Sequence, residues 1–115
     1  MDIARRVFLG TDGGATTSKI GAVFDDGTPV STTLLQTPTN AQLGPRTTVS
    51  VWVEGAPTYL EQHGLGWDQV DGVGLSIPGP YQRYGVFDKS PNLPDSFTGF
   101  DVYAAYAERL AARAG

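Results

Sequence analysis

The stretch Asp12-Gly13-Gly14-Ala15-Thr16-Thr17-Ser18-Lys19 lies between two apolar segments, residues 7–11 and 20–25. Both segments alternate in polarity and are rich in β-branched and aromatic side chains. The pattern therefore predicts a strand over residues 5–12, a tight turn, and a second strand over residues 18–25. The turn combines two glycines, hydroxyl groups, one carboxylate and one lysine. Such groups can hold phosphates and a magnesium ion, so this turn is the first candidate for a functional site.

The composition is that of an ordinary globular domain. The chain has 115 residues, of which 40% are hydrophobic, enough for one domain with one core. A formal net charge of -4 argues against a nucleic-acid surface or an anionic membrane as a partner. There is no cysteine, His63 is the one histidine, and no stretch resembles a membrane span or a signal-peptide core. We therefore expect a cytoplasmic protein without a thiolate or histidine metal site.

The middle of the chain predicts a third strand and a long helix. After an Asp-Gly turn, the β-rich residues 30–35 predict a strand that completes an antiparallel meander. Apolar residues at helical spacing predict a helix over residues 46–63. Because Pro57 lacks a backbone donor, we expect a kink or a break in this helix near Val53.

The last third of the chain predicts a strand, a long loop region and a second helix. The strand covers residues 70–77, and the loops, which are dense in proline and glycine, cover residues 78–100. The second helix is expected from about residue 101 to 113. The resulting order, β-β-β-α-β-α, predicts an α/β fold in which helices flank a mixed sheet.

The Asp12 turn has a functional interpretation and a structural one. Gly14 lets a phosphate approach the backbone, Thr16 and Thr17 offer hydroxyl donors, and Lys19 offers a point charge. Asp12 suits Mg²⁺, through water, because this ion loses water reluctantly. Alternatively, Asp-Gly-Gly is simply a good hairpin turn and Lys19 a solvated strand residue. The turn alone leaves both interpretations open.

Two later loops carry further candidates. In Gly72-Val73-Gly74-Leu75-Ser76-Ile77-Pro78-Gly79-Pro80, a strand ends in a stiff loop whose single backbone N–H in the Pro-Gly-Pro triplet belongs to Gly79. In Ser90-Pro91-Asn92-Leu93-Pro94, the prolines restrain the backbone around Asn92. The Gly79 amide suits a ligand hydroxyl, and the Asn92 side chain both donates and accepts, which matches a pair of sugar hydroxyls. The structural alternatives are a rigid turn at Gly79 and an Asx-turn at Asn92.

The motifs carry a resemblance to a known family. Asp12, Gly14, Thr16 and Lys19 fit the first phosphate motif, D-x-G-x-T-x-x-K, of the actin-like ATPase superfamily, whose ribonuclease H-like domains share the order predicted above. With the two later loops, the chain resembles the ROK family (repressors, uncharacterised reading frames and kinases), which includes bacterial glucokinases. Family members show D-x-G-G-T, then a strand ending in P-G-P, then s-p-N-L-P. The same three motifs occur here in the same order and span nearly the whole chain.

The resemblance implies a sugar kinase that transfers a phosphoryl group from ATP to a hexose hydroxyl with Mg²⁺. It implies that the nucleotide site contains Asp12, Gly13, Gly14, Thr16, Thr17 and Lys19. Asp12 would also face the Mg²⁺, and Gly79 and Asn92 would contact the sugar. The chain departs from the family at Ala15, where a second glycine is usual. We expect the Ala15 methyl group to restrict the turn and weaken nucleotide binding.

The resemblance also implies that part of the catalytic site lies elsewhere. In ROK kinases the general base is the Asp of an Asn-Asp pair on the strand after the second helix, and this chain ends at Gly115 before such a strand. Asp88 and Asp95 are interpreted as solvated loop carboxylates. We therefore expect residues 1–115 to be a single domain, truncated before its last strand. It would be the incomplete amino-terminal lobe of a kinase, without turnover of its own and with a sheet edge through which copies can pair into a homo-oligomer.

Two other functions stay open. One is the sugar-binding lobe of a ROK-family transcriptional regulator, in which a helix-turn-helix domain precedes the first phosphate motif, whereas only residues 1–7 precede the core of the first strand here. The other is an α/β domain that serves only in structure or oligomerisation. The sugar and the phosphoryl donor, ATP or polyphosphate, also stay open.

Overall fold

A mixed four-stranded sheet forms the centre of the fold. The computed structural model describes residues 5–115; residues 1–4 of the predicted domain lie outside the described part. The strands are β1 (Val7–Gly13), β2 (Thr17–Phe24), β3 (Leu35–Pro38) and β4 (Val70–Ser76), in the order β3-β2-β1-β4. β2 is antiparallel to both β1 and β3, whereas β4 is parallel to β1. The predicted α/β fold with a mixed sheet is confirmed.

Two helices cover one face of this sheet. α1 (Pro45–Gln62) begins with a proline at its first turn, a position where the missing N–H costs nothing. α2 (Val102–Ala114) begins after Asp101, whose side chain accepts a hydrogen bond of 3.0 Å from the Ala104 amide. Between β4 and α2 the chain forms a short hairpin of β5 (Tyr81–Arg83) and β6 (Val86–Phe87).

The core consists of two adjoining clusters between the sheet and the helices. One joins the sheet to α1 through Leu9, Ile20, Ala22, Ala56, Tyr59 and Leu60. The other joins α1, the loops and α2 through Ala41, Val49, Trp52, Val53, Phe87, Leu93, Phe97, Val102 and Tyr106. Side chains on β1 alternate between buried and exposed, because successive residues of a strand point to opposite faces. No helix among residues 5–115 covers the opposite face of the sheet, which is called the outer face below.

The third strand lies later than predicted. The sequence predicts residues 30–35, but β3 covers Leu35–Pro38. Before it, the Ser31 hydroxyl accepts a hydrogen bond of 3.1 Å from the Thr33 amide. Hydroxyl side chains that bond the nearby backbone compete with strand pairing, and this explains the wrong boundary.

Of the kink or break expected in the first helix near Val53, the break does not occur. α1 is one continuous helix of 18 residues with Pro57 inside it. The proline removes the hydrogen bond to the Val53 carbonyl, at a typical cost of about 3 kcal/mol. Beyond Pro57, the helix still buries Tyr59 and Leu60 completely or nearly so. Burying these two large side chains offsets the lost bond, and the helix continues.

Candidate functional site

Two of the predicted motifs leave the sheet at the same edge. β1 and β4 are parallel neighbours, and Asp12 of β1 lies directly opposite Ser76 of β4. The Asp12 turn therefore starts where β4 also ends, and the loop with Pro78 and Gly79 follows at once. In α/β sheets, ligands bind outside the carboxyl ends of adjacent parallel strands. The tertiary structure thus brings the first two motifs together.

A row of three polar side chains crosses the outer face at this edge. Asp12 lies opposite Lys19 on β2 as well as opposite Ser76 on β4, and all three side chains are exposed. Within residues 5–115, neither Asp12 nor Lys19 forms an ion pair. Both charges are therefore available to a ligand. Ser76 was missed in the sequence, although its position in the β4 alternation places it on this face.

An open groove runs from this polar row along the outer face. Its volume is 960 Å³, and Gly10, Gly21 and Gly74 form its floor. A Cβ atom at Gly10 or Gly74 would meet no other atom within 4 Å, so the floor is open above these two positions. The partly exposed side chains of Phe8 and Leu34 form apolar walls. The groove combines apolar walls with charged groups at one end, as ligand pockets commonly do.

The two glycines of the turn are required by packing. A Cβ atom at Gly13 would lie 2.7 Å from the Trp52 ring, and one at Gly14 would lie 2.4 Å from the Thr17 carbonyl oxygen. Gly13 is buried, so its side-chain position faces the core and not the groove. Thr16 and Thr17 are exposed at the turn, as a phosphate site would require.

Hydrogen bonds beneath the turn connect it to α1 and to the segment after β3. The Trp52 indole N–H donates to the Ser18 hydroxyl over 2.7 Å, and the Ser18 and Thr39 hydroxyls lie 2.7 Å apart. The Thr39 hydroxyl donates to the Gly14 carbonyl over 2.7 Å, and the Thr39 amide donates to the Thr16 carbonyl over 2.9 Å. None of these partners was singled out in the sequence, although a buried serine on β2 is a signal that its hydroxyl has a partner.

The predicted sugar-binding residues lie on loops outside the groove. Gly79 is exposed and precedes a cis peptide bond to Pro80, and the Tyr81 hydroxyl donates to the Ile77 carbonyl over 2.6 Å. Asn92 is exposed, and within residues 5–115 its side chain makes no hydrogen bond. The local turn instead uses the Ser90 hydroxyl, which accepts from the Asn92 amide over 3.3 Å. The Asx-turn alternative is therefore wrong, and the Asn92 side chain is available to a ligand.

The structure is similar to two solved sugar kinases. A ROK hexokinase from Thermus thermophilus superimposes with a TM-score of 0.72 at 25% identity over 91% of this chain. The chain has the fold of ROK sugar kinases. An inorganic polyphosphate/ATP-glucomannokinase from Arthrobacter sp. strain KM superimposes with a TM-score of 0.74 at 21% identity over 92% of this chain.

The superposition covers only part of each solved protein. This chain spans 32% of the hexokinase and 41% of the glucomannokinase. No family model matches the sequence, and no curated protein matches it. The ROK resemblance of the three motifs is thus supported by the fold, as is the ribonuclease H-like, actin-like architecture.

A second cavity lies beside the Pro-Gly-Pro loop of the ROK fold. It measures 430 Å³ and is lined by β4, the β5–β6 hairpin and α2, with four tyrosines: Tyr81, Tyr84, Tyr103 and Tyr106. The Tyr84 and Tyr103 rings lie 5.4 Å apart. Burial raises the pKa of Tyr106, whose hydroxyl has no hydrogen-bond partner among residues 5–115. Sequence reasoning missed this cavity, because its tyrosines come from two separate elements, the β5–β6 hairpin and α2.

The donor set at the turn suits one kind of metal ion. Within residues 5–115, no group of three or more His, Cys, Asp or Glu side chains is arranged to hold a metal. Asp12 is therefore a single carboxylate beside exposed threonine hydroxyls. Mg²⁺ keeps several waters and is commonly held by one or two carboxylates together with substrate phosphates, so these residues fit it. None of the helices in the described part has the length and apolar character of a membrane span.

Proposed function

We propose that this chain is the nucleotide-phosphate and sugar-binding lobe of a ROK-type kinase that transfers a phosphoryl group from ATP to a hexose hydroxyl. The observation that carries the proposal is the common sheet edge of the Asp12 turn and the Gly79 loop. A phosphoryl transfer needs donor and acceptor side by side, because positioning and electrostatic stabilisation supply most of the catalysis. The exposed charges of Asp12 and Lys19 support the donor side.

Each predicted residue has a role in this proposal. Thr16, Thr17 and Lys19 bind phosphate oxygens, and Asp12 orients the hydrated Mg²⁺ that offsets their charge. Gly13 and Gly14 let the turn close against Trp52 and Thr17. The role of Ala15 is structural, because its side chain packs against the core cluster that contains Trp52.

The acceptor side is proposed at the Gly79 and Asn92 loops. Asn92 offers an amide without a protein partner among the described residues, and the Gly79 amide lies on the loop that follows β4. Asp88 and Asp95 are exposed loop residues, as expected of solvated carboxylates rather than a general base. We therefore propose that residues 1–115 bind ligands but do not catalyse transfer, since the proposal assigns a general base to none of the described residues. Measurable hexose phosphorylation by this chain would contradict that proposal.

The cellular setting and assembly belong to the same proposal. A cysteine-free chain with a negative net charge suits the cytoplasm and a small-molecule substrate rather than nucleic acid. β4 is an edge strand of the sheet, so a further strand or a second copy can pair with it.

Amide chemical shifts measured by NMR during titration test the proposal at residue level. Titration with Mg·ATP should shift the amides of residues 12–19, and titration with glucose should shift Gly79 and Asn92. The Asp12→Asn variant should bind Mg·ATP roughly tenfold more weakly, the equivalent of one charge-assisted interaction. The Asp26→Asn variant, on the β2–β3 connection, is a matched control and should bind normally. Shifts confined to other residues, or none, would refute the proposed site, and titration with polyphosphate distinguishes the two donors.

A further inference from the structure

The hydrogen bonds beneath the Asp12 turn form a chain in which each hydroxyl accepts from one neighbour and donates to the next. A carbonyl oxygen only accepts, so the Thr39 hydroxyl donates its single hydrogen to the Gly14 carbonyl. The Ser18 hydroxyl must therefore donate to Thr39, and Ser18 itself accepts from the Trp52 indole. The order of donation is Trp52 to Ser18 to Thr39 to the Gly14 carbonyl. Since every member has its partner, this relay is a fully satisfied buried polar network.

Thr39 holds the turn at two points and is itself held. Its hydroxyl binds the Gly14 carbonyl, and its amide binds the Thr16 carbonyl. Its own carbonyl accepts a hydrogen bond of 3.1 Å from the Thr48 hydroxyl on α1. Thr39 and Thr48 are fully buried, so solvent does not compete for these bonds. The turn is thereby tied to the first helix.

The orientation of one peptide group follows from the bond to Gly14. In a planar trans peptide, the C=O and the next N–H point in opposite directions. Because the Gly14 carbonyl points inward to Thr39, the Ala15 N–H points away from the protein interior. Within residues 5–115, the Ala15 amide donates to no other group. The Ala15 side chain packs against the core, so its methyl group does not cover this amide.

We infer that Thr39 is a positioning residue, which aims the Ala15 amide at a phosphate oxygen of the nucleotide. The inference rests on the proposed function, because it assigns the phosphate to this turn. It also changes the expectation for Ala15. The family's glycine is replaced here by a residue whose side chain is turned inward, and the amide that matters is kept in place from below by Thr39.

The test compares three substitutions of buried or half-buried threonines. Thr39→Val keeps the shape and the backbone bond to Thr16 but removes the hydroxyl, and Thr39→Ser restores it. Thr37→Val is the matched control, because the Thr37 hydroxyl has no partner among the described residues. Affinity for Mg·ATP should fall about tenfold in Thr39→Val, as for the loss of one hydrogen bond to a charged group. It should return to within about twofold in Thr39→Ser and stay unchanged in Thr37→Val.

A ligand-free measurement separates this inference from the proposed function. The Gly14 carbonyl-carbon and Ala15 amide-nitrogen chemical shifts report the orientation of their shared peptide. Both should move in Thr39→Val and not in Thr39→Ser, and unchanged shifts in Thr39→Val would overturn the positioning role. If the two signals move in Thr39→Val but the wild-type chain binds no Mg·ATP, the positioning role stands, whereas the proposed function and the phosphate assignment fail. If Thr39→Val does not fold, Ser18→Ala interrupts the relay one step earlier and should shift the same two signals.

Discussion

Two Gly→Ala substitutions in β1, three residues apart, should change stability in opposite directions. At Gly13, a Cβ atom would lie 2.7 and 2.8 Å from two Trp52 ring carbons and 3.1 Å from the Ser76 carbonyl oxygen. At Gly10, it would meet nothing within 4 Å. Carbon atoms pack best at about 3.5–4.0 Å, so the Trp52 ring would have to retreat by about 0.7–1.3 Å.

The Trp52 ring has little freedom to retreat. It is 1% exposed, and its indole N–H is bound to Ser18 over 2.7 Å. Inserting a methyl group into such a packed site costs about 1–3 kcal/mol. For a chain of this size that corresponds to a melting temperature lower by about 4–12 °C. Gly10→Ala should instead stabilise by about 0.4–1 kcal/mol, because alanine restricts the unfolded chain and fits a strand backbone.

Urea denaturation of both variants, followed by far-UV circular dichroism, measures these changes. The midpoints should move in opposite directions at an unchanged slope, which identifies a change in the free energy of unfolding rather than in compactness. Equal midpoints for Gly13→Ala and Gly10→Ala would show that the contact between β1 and Trp52 is looser than the structure has it. The double variant should be additive to within about 0.5 kcal/mol, because the two positions point to opposite faces of the sheet.

Three further results are expected. Lys19→Gln should leave the free energy of unfolding within about 0.5 kcal/mol of wild type while weakening Mg·ATP binding roughly tenfold by titration calorimetry, and an unchanged affinity would remove Lys19 from the phosphate site. Asp101→Ala should cost about 1 kcal/mol, because the Ala104 amide loses its acceptor, and Asp101→Asn, which keeps a capping oxygen, should cost much less in the same assay. Burial raises the pKa of both Tyr59 and Tyr106 above the ordinary value of 10.0, so their contribution to stability is complete below about pH 10 and is lost as the pH rises further. The Tyr59→Phe/Tyr106→Phe double variant should therefore lose less stability than wild type between about pH 9 and 11, as measured from urea midpoints across this range, and a loss equal to that of wild type would count against these two groups.

The elements with strong local patterns were predicted well. β1 and β2 flank the glycine turn as expected, and α2 begins beside Asp101, because alternation, turn residues and capping act between near neighbours in sequence. The errors occur where local signals compete with tertiary ones. The Ser31 hydroxyl before β3 bonds the local backbone at the Thr33 amide, which moves the strand to Leu35–Pro38. At Pro57, the buried residues beyond the proline keep α1 continuous.

The sequence by itself determined the chemistry of the candidate site: a carboxylate, hydroxyls and a lysine at a glycine turn, and an asparagine held between prolines. Motif order also led to the ROK fold, because spacing along the chain is visible without coordinates. Only the tertiary structure decided how these groups are held. Ser18, Thr39 and Trp52 are 21 and 34 residues apart along the relay, and the bond from Thr39 to Gly14 spans 25. Such contacts depend on how the sheet and α1 pack together, and packing between distant segments leaves no periodic signal in the sequence.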